Sequence, residues 1–241
     1  EAIETEKGFP TKKLVNIEVP DIDKFDELKG SRKSLKSISS LLSVQEGCDK
    51  FCSFCVVPYT RGVEISRPAG QILKEAIELI DNGAKELILL GQNVNAWSGE
   101  GFDEENWSFP MLIKELSKLN IERIRYITSH PKDMTDELMR SHKDIEKLQP
   151  YLHLPVQSGS DKVLKEMNRG YTFSQYMKII NKTREYRPDI AVSGDFIVGF
   201  PGETDKDFED TLKIVEEVRY AHAYSFKYSS RPGTPASMME N

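Results

Sequence analysis

The chain has 241 residues, of which 38% are hydrophobic and 30% are charged, and this balance indicates a folded protein with a sizeable core. No apolar run approaches the ~20 residues of a membrane span, and no secretory signal opens the sequence, so we expect a cytoplasmic protein without a membrane partner. The net charge of −6 excludes nucleic-acid binding through bulk positive charge. An RNA partner would have to be bound by local patches of positive charge or by a region outside these 241 residues.

Beyond residue 40, the hydrophobic pattern alternates short apolar runs with amphipathic helices, which is typical of an α/β fold with parallel strands and crossover helices. Strands are predicted at 41–45, 86–90, 123–128, 151–154, 190–198 and 223–228. Helices are predicted at 71–81, 111–119, 135–141, 160–167 and 172–185, and from residue 204 in a helix bearing Phe208, Leu212 and Val215. Three of these helices have predicted caps, which are Ser160, Thr172 with Gln175, and Thr204 with Asp207. Six strand–helix units are too few for a closed eight-fold barrel.

Every cysteine of the chain lies in one short stretch, with the spacing C-x3-C-x2-C formed by Cys48, Cys52 and Cys55. A structural zinc site takes four protein ligands and a catalytic one takes three, whereas an iron–sulfur cluster is usually held by four cysteines. Three thiolates on a [4Fe–4S] cluster would leave one iron open to a ligand. The alternative is a zinc site completed by a histidine, although none of the four histidines lies in the loop.

Polar side chains follow the predicted strands at the end where α/β folds bind ligands. Because the carboxyl ends of parallel strands meet at one edge, we expect these residues to converge on one mouth. They are Cys48, Gln92, Ser129, His130, Gln157, Ser158, Gly199 and residues 229–231.

Four stretches resemble a known family. They are residues 47–68 (GCDKFCSFCVVPYTRGVEISRP), with an aromatic residue before the last cysteine, 89–95 (LLGQNVN), 153–161 (HLPVQSGSD) and 195–204 (DFIVGFPGET). From about Val44 to Pro235 the chain is similar to the radical S-adenosylmethionine (SAM) methylthiotransferases. Within that family it most resembles the branch that acts on N6-isopentenyladenosine at position 37 of bacterial tRNA.

The resemblance implies a partial (β/α)6 radical SAM barrel in which Cys48, Cys52 and Cys55 bind a [4Fe–4S] cluster. SAM would chelate the open iron, and its cleavage would give a 5′-deoxyadenosyl radical. The implied activity is that of a transferase that adds a methylthio group to C2 of isopentenyladenosine. No catalytic residue is expected beyond the cluster ligands.

Most candidate SAM-binding residues lie at strand ends, whereas Asp195 and Ile197 lie within the fifth predicted strand and Arg169 follows the helix predicted at 160–167. The candidates are Gln92, Ser129, Gln157, Ser158, Arg169, Asp195, Ile197 and Gly199. A planar guanidinium suits a carboxylate, so Arg169 is predicted to pair with that of SAM, although a surface arginine is the alternative. Asp195 lies within a strand, where a carboxylate needs a partner, so either a ribose contact or an ion pair is expected. Gln92, in turn, can be a contact to the SAM amino group or an amide that stabilises the loop.

Candidate RNA-binding residues flank the mouth, because arginine and aromatic side chains stack on bases. They are Tyr59, Thr60, Arg61, Arg67 and Arg231, each of which can instead be a structural ion-pair partner. The expected partners are tRNA and a small electron-donor protein such as a flavodoxin or ferredoxin, and a monomer is expected.

The resemblance also implies domains on both sides of this chain. Residues 1–40 are interpreted as an entry segment from an N-terminal domain that holds an auxiliary [4Fe–4S] cluster. Residues 41–235 are interpreted as the radical SAM core, and 236–241 as a tail leading to an RNA-binding TRAM domain. Alternative functions are a relative acting on threonylcarbamoyl-adenosine or on a ribosomal-protein aspartate, and, from another class, a non-catalytic electron-transfer module.

Overall fold

Six parallel strands, taken in chain order, form the scaffold of the protein. The computed structural model describes residues 37–102 and 104–239, so most of the predicted entry segment and the last two residues lie outside the described residues. Within the described residues there are ten strands: β1 (Ser39–Ser43), β2 (Gln45–Glu46), β3 (Ile65–Ser66), β4 (Glu86–Leu90), β5 (Ser98–Glu100), β6 (Asn106–Ser108), β7 (Arg123–Tyr126), β8 (Tyr151–His153), β9 (Ala191–Val198) and β10 (His222–Lys227). The same residues form seven α-helices, besides short 3-10 turns: α1 (Val57–Arg61), α2 (Ala69–Asp81), α3 (Phe109–Ser117), α4 (Asp136–Asp144), α5 (Asp161–Glu166), α6 (Phe173–Tyr186) and α7 (Asp205–Val218).

The strands form two three-stranded parallel sheets, β1–β4–β7 and β8–β9–β10. A parallel bridge between Ile124 and Leu148 joins them, with Ile124 donating to the Lys147 carbonyl at 2.8 Å and accepting from the Gln149 amide at 2.9 Å. The six strands therefore run side by side in sequence order. This order confirms the α/β class and agrees with an open, partial barrel.

The buried core lies between the strands and the helices that connect them. Leu87 and Leu89 of β4 and Leu112 and Leu116 of α3 are fully buried in one continuous apolar cluster. Helix starts follow the predicted capping residues. Ser160 accepts from the Val163 amide, and Thr172 with Gln175 and Thr204 with Asp207 form capping boxes.

Two short antiparallel pairs were not predicted. Strand β2 pairs with β3, and β5 pairs with β6. The first pair forms the neck of the loop that carries the cysteines, which spans residues 47–64 and contains helix α1. We call these residues the cysteine loop.

Candidate active site

The neck of the cysteine loop is fixed to the end of β4 by two amide side chains. Gln45, only 1% exposed, donates from Nε2 to the Gly47 carbonyl at 2.7 Å and accepts from the Asn93 amide at 3.1 Å. Gln92 accepts from the Gly47 amide at 2.7 Å. Gly47 has a φ of +74°, and a Cβ there would lie 2.0 Å from the Val63 carbonyl oxygen, so this position requires glycine.

The far side of the loop is held by the end of α5 and the residues after it. Ser53 donates from its amide to the Met167 carbonyl at 3.0 Å and from its hydroxyl to the Glu166 carbonyl at 2.7 Å. Asn168 donates to the Phe51 carbonyl at 2.9 Å. We call residues 166–169 the α5 clamp.

A second, smaller apolar cluster lies beneath the loop and anchors Phe54. Its buried members come from three places in the chain: Val163 and Met167 around α5, Phe200 after β9, and Ala236 near the C-terminus. The Ala236 amide also donates to the Ser53 carbonyl at 2.9 Å. The loop is thus fixed by segments that are distant in sequence.

The three cysteines are reduced thiols at one end of the barrel, with Cys52 buried and the other two half-buried. Burial, with smaller contributions from the neighbouring Cys52 and Cys55, raises the pKa of the Cys48 thiol to about 11. Burial also raises the pKa of Cys55. Thiols with these pKa values stay protonated at neutral pH, so a metal centre must displace their protons to bind.

The donor set fits a cluster better than a single ion. Among the residues that the structure describes, no three His, Cys, Asp or Glu side chains converge on one metal-ion position. In a [4Fe–4S] cluster each cysteine binds a different iron atom, so the three thiolates do not have to converge on one point. The ligands of a zinc ion do have to converge on one point.

Six buried polar atoms without a hydrogen-bond partner among the described residues lie just beyond strand ends. They are Asn93 Oδ1 after β4, Ser129 Oγ and His130 Nε2 after β7, Gln157 Oε1 after β8, Glu203 Oε1 after β9 and the Tyr228 hydroxyl after β10. Buried polar atoms nearly always have a hydrogen-bond partner in folded proteins, so this group of unpaired atoms indicates a polar ligand. We call these six atoms, with the residues around them, the mouth.

A cavity of about 400 Å³ opens at the mouth. Its walls include the aromatic ring of Phe54 from the cysteine loop and the polar side chains of the last three strands. Among its lining residues are Phe54, Gln157, Asp195, Ile197, Tyr228 and Arg231. A cavity of this size accommodates a small-molecule cofactor.

The structure brings five of the predicted SAM-binding residues to the open mouth. Gln157, Asp195 and Ile197 line the cavity, and Asp195 also lies 3.2 Å from His153 Nε2. Ser129 is buried with its hydroxyl unpaired. Gly199 has a φ of +69°, and its amide donates to the Glu203 carboxylate.

The remaining predicted SAM-binding residues are engaged in protein contacts. Gln92 holds the Gly47 amide. Ser158 is fully buried, with its hydroxyl 3.2 Å from that of Thr211 and accepting from the Ser160 amide. Arg169 is buried against Cys52.

The predicted RNA-binding residues also separate into two groups. Tyr59 and Arg61 lie exposed on α1, where the Tyr59 ring meets Phe51 edge-on, and Arg231 is exposed beside the cavity. Arg67 instead is 6% exposed and donates to the Glu75 carboxylate at 2.8 Å.

Three mouth residues were not among the residues expected there: Asn93, Glu203 and Tyr228. Each follows a strand end, so the positional rule that selected Gln92 and Ser129 would also have selected them. His130 was expected at the mouth but was not assigned a role in binding. His130 is notable because its Nδ1 accepts from the Lys132 amide at 3.2 Å, which assigns the proton to the unpaired Nε2. Burial, together with nearby Arg169, Lys50 and Lys132, lowers the pKa of His130 to about 2.

Comparison with known families agrees with this geometry. The profile described as the radical SAM superfamily matches residues 42–215, which is most of the chain. The chain belongs to the radical SAM superfamily, whose members bind a [4Fe–4S] cluster and SAM, and the three cysteines and the mouth fit these two groups.

The names of the curated relatives indicate a narrower group within the superfamily. The chain is 58% identical over 226 residues to a tRNA-2-methylthio-N(6)-dimethylallyladenosine synthase from Ruegeria pomeroyi, covering 93% of this chain and 51% of the relative. It is 56% identical over 229 residues to the synthase of the same name from Agrobacterium fabrum, covering 93% of this chain and 50% of that protein. The chain therefore spans about half the length of the curated relatives it matches.

Solved structures share the fold at low sequence identity. TsrM from Kitasatospora setae, a radical SAM methyltransferase, aligns with a TM-score of 0.67 at 17% identity, covering 83% of this chain and 38% of that one. The radical SAM enzyme HemN from Escherichia coli aligns with a TM-score of 0.59 at 21% identity, covering 83% of this chain and 46% of that one. No helix within 37–102 and 104–239 is long and apolar enough to cross a membrane.

Proposed function

We propose that this chain is the catalytic core of a radical SAM methylthiotransferase that adds a methylthio group to C2 of N6-isopentenyladenosine 37 in tRNA. The observation that carries the proposal is the 56–58% identity to synthases of that activity over 93–95% of the chain. The radical SAM profile match over residues 42–215 includes the cysteine loop and the carboxyl ends of β1, β4, β7, β8 and β9.

Three thiolates from Cys48, Cys52 and Cys55 hold the cluster in this proposal, and the chain has no fourth cysteine to close its coordination. When bound, the cluster and SAM supply a one-electron cleavage that yields a hydrogen-abstracting radical. The protein orients SAM with the strand-end side chains. Ser129, Gln157 and the His130 Nε2–H are polar groups that a ligand would complete, while Asp195 and Ile197 form the cavity wall.

We assign the RNA contacts to the exposed residues around the mouth. Tyr59 and Arg61 on α1 and Arg231 beside the cavity can stack on bases or pair with phosphates. Arg67 is excluded from this role by its buried ion pair with Glu75. Lys227 also lines the cavity and adds positive charge there.

The cellular setting is part of the same proposal. We propose that the enzyme works in the cytoplasm as a monomer and that a small flavodoxin- or ferredoxin-type protein supplies its electrons. The auxiliary cluster expected from the resemblance needs thiolates that these 241 residues do not contain, because all three cysteines lie in one loop. We therefore expect the isolated chain to bind SAM and cleave it slowly without completing methylthiolation.

Deletion of the gene that encodes this chain tests the proposed substrate. Mass spectrometry of tRNA nucleosides is expected to show N6-isopentenyladenosine accumulating without its methylthio group. Reintroduction of the wild-type gene should restore the modification, and a Cys52→Ser gene should not. Loss of methylthiolation from threonylcarbamoyl-adenosine, or from a ribosomal-protein aspartate, would assign the chain to another branch of the family.

A further inference from the structure

Strand β10 ends the second sheet and leaves its side chains exposed. Within the described residues β10 pairs with β9 alone, and all six residues of His222–Lys227 are exposed. Tyr224 and Phe226 are each 55% exposed, although the strands of parallel sheets are usually buried on both faces. Edge strands of folded proteins are normally very short, charged or covered, so a long aromatic edge indicates a surface that binds a partner.

Three aromatic rings follow one another along the inner face of β10. They belong to His222, Tyr224 and Phe226, which share a face because side chains alternate along a strand. The register pairs Tyr224 with Asp195 and Phe226 with Ile197, and both of these β9 residues line the cavity at the mouth. We call the three rings the aromatic ladder, which therefore lies on the cavity side of the sheet.

The geometry of the aromatic ladder suits flat ligands. The His222 and Tyr224 rings meet edge-on with their centroids 4.4 Å apart. The Tyr224 and Phe226 rings lie within 28° of parallel, with their centroids 6.2 Å apart. A row of exposed, nearly parallel rings is the kind of surface on which unpaired nucleobases stack.

Positive charge lies at the end of the aromatic ladder that meets the mouth. Phe226 lines the cavity together with Lys227 and Arg231. Strand β10 contains no acidic residue, so these two cations are not opposed by a carboxylate on the same strand. Aromatic rings beside cationic side chains match a nucleotide, because the rings stack on the base while the cations pair with its phosphate.

We propose that the aromatic ladder binds unpaired nucleobases of the RNA substrate next to the adenosine that is modified. The proposal rests on the proposed function, which supplies the RNA, and adds a binding surface to it. When the target base enters the mouth, a neighbouring base stacks on Tyr224 and Phe226, and Lys227 pairs with the backbone. The ladder thereby holds the single-stranded loop in the register that presents one adenosine to the cavity.

The test is binding of a fluorescently labelled anticodon stem–loop that contains N6-isopentenyladenosine to the anaerobically reconstituted 241-residue chain. Fluorescence anisotropy gives the dissociation constant at several salt concentrations. Tyr224→Ala and Phe226→Ala remove a ring but no charge, so each should weaken binding about tenfold and leave the salt dependence unchanged. Lys227→Gln should instead reduce the slope of log K against log salt by about 1, as expected for one lost phosphate contact.

Two controls separate stacking from a general loss of apolar surface. Tyr224→Phe and Phe226→Tyr keep the rings, so their affinities should stay within about twofold of the wild type. Leu212→Ala is the matched control, because Leu212 is a similarly exposed apolar residue, 48% exposed, on helix α7. A stem–loop with abasic sites on both sides of the modified adenosine lacks the stacking bases, so with it Phe226→Ala should weaken binding no further.

Three results would overturn the proposal. Alanine variants that bind the stem–loop like the wild type would mean that the aromatic ladder is covered by protein. Weakened binding of SAM with unchanged binding of RNA would assign the ladder to the cofactor, and equal losses with intact and abasic stem–loops would exclude stacking. A wild-type chain that does not bind the stem–loop at all would contradict the RNA substrate of the proposed function as well, whereas RNA binding that is insensitive to the ladder overturns this proposal alone.

Discussion

The body and the mouth of this barrel both bury polar side chains, but most of the buried polar atoms without a partner among the described residues lie at the mouth. In the body, the Tyr151 hydroxyl of β8 meets that of Ser193 at 2.7 Å, and Tyr176 of α6 donates to the Leu154 carbonyl at 2.9 Å. At the mouth, Ser129 and His130 are both buried, yet each has a polar atom without a partner in the part of the chain that the structure describes. The body pairs most of its buried polar groups by itself, whereas the mouth is built for a ligand.

The largest effect that tests this difference is loss of the cluster. Replacement of Cys48, Cys52 or Cys55 by serine should reduce the iron content of the reconstituted chain to near zero, because a hydroxyl does not replace a thiolate at iron. The thermal midpoint of the metal-free chain should change little, since the strand bodies do not contain these residues. Ser117→Ala on α3 is the control. A single serine variant with wild-type iron content would contradict the ligand assignment.

A second large effect is expected at the neck of the cysteine loop. Gly47 and Gly202 both have positive φ values, of +74° and +75°, so alanine at either costs about 1–2 kcal/mol in backbone strain. Only at Gly47 would the new Cβ also collide with backbone, at 2.0 Å from the Val63 oxygen. Gly47→Ala should therefore lose most of its iron, while Gly202→Ala keeps it. Equal iron contents would mean that the neck does not position the cysteines.

Two of the three arginines predicted to bind RNA, Arg67 and Arg231, should respond in opposite ways. Arg67→Gln removes a buried charge from Glu75 and the Ser43 carbonyl, and it should lower the free energy of unfolding by about 2 kcal/mol in urea titrations. Arg231→Gln at the exposed rim should leave stability unchanged and weaken binding of an anticodon stem–loop in fluorescence anisotropy. Weakened RNA binding by folded Arg67→Gln, with normal binding by Arg231→Gln, would reverse the assignment.

The smallest expected effect is a pH dependence from buried histidines. Burial lowers the pKa of His142 to about 4, so as pH falls from about 6.5 to 4 the unfolded chain gains a proton that the folded chain does not. The free energy of unfolding should then fall by about 1.4 kcal/mol per pH unit. The contribution of His142 to this fall should end below the pKa of His142 in the folded chain. His130 adds a similar slope.

His142→Gln should therefore roughly halve the histidine contribution to the decline in the free energy of unfolding between pH 6 and 5. Urea unfolding at each pH measures this decline. A variant with the wild-type slope would show that His142 is protonated in the folded chain. Unfolding in the same buffers at pH 7.5 and 8.5 is the control, since neither histidine titrates there.

Much of the fold was predictable because its strands and helices carry strong periodic patterns. Strand β4 was predicted at 86–90 and observed at Glu86–Leu90, and all three helix caps were confirmed. Strands β2 and β3 have two residues each, which is too short for any periodicity. Their pairing depends on the loop that they close.

Which side of a helix becomes buried was harder to predict. Phe208, Leu212 and Val215 suggested an apolar face of α7, but they are 38–48% exposed, while Thr211, Ile214 and Val218 are buried. The spacing of hydrophobic residues identifies an apolar stripe on a helix, but the packing of neighbouring helices and strands determines which side of the helix is buried.

The positions of site residues were predictable from strand ends, but their contacts were not. Arg67 and Arg169 are close to the mouth in sequence, yet one pairs with Glu75 of α2 and the other with Cys52. Both of these contacts depend on tertiary packing, which cannot be read from a local sequence pattern.

A cluster with one iron open to SAM is the feature on which the proposed function depends most. Electron paramagnetic resonance of the anaerobically reconstituted, reduced chain with and without SAM tests it directly. We expect a [4Fe–4S]⁺ signal that shifts when SAM is added. A signal indifferent to SAM would mean a closed coordination shell, and the chain would then be an electron-transfer module on a radical SAM scaffold.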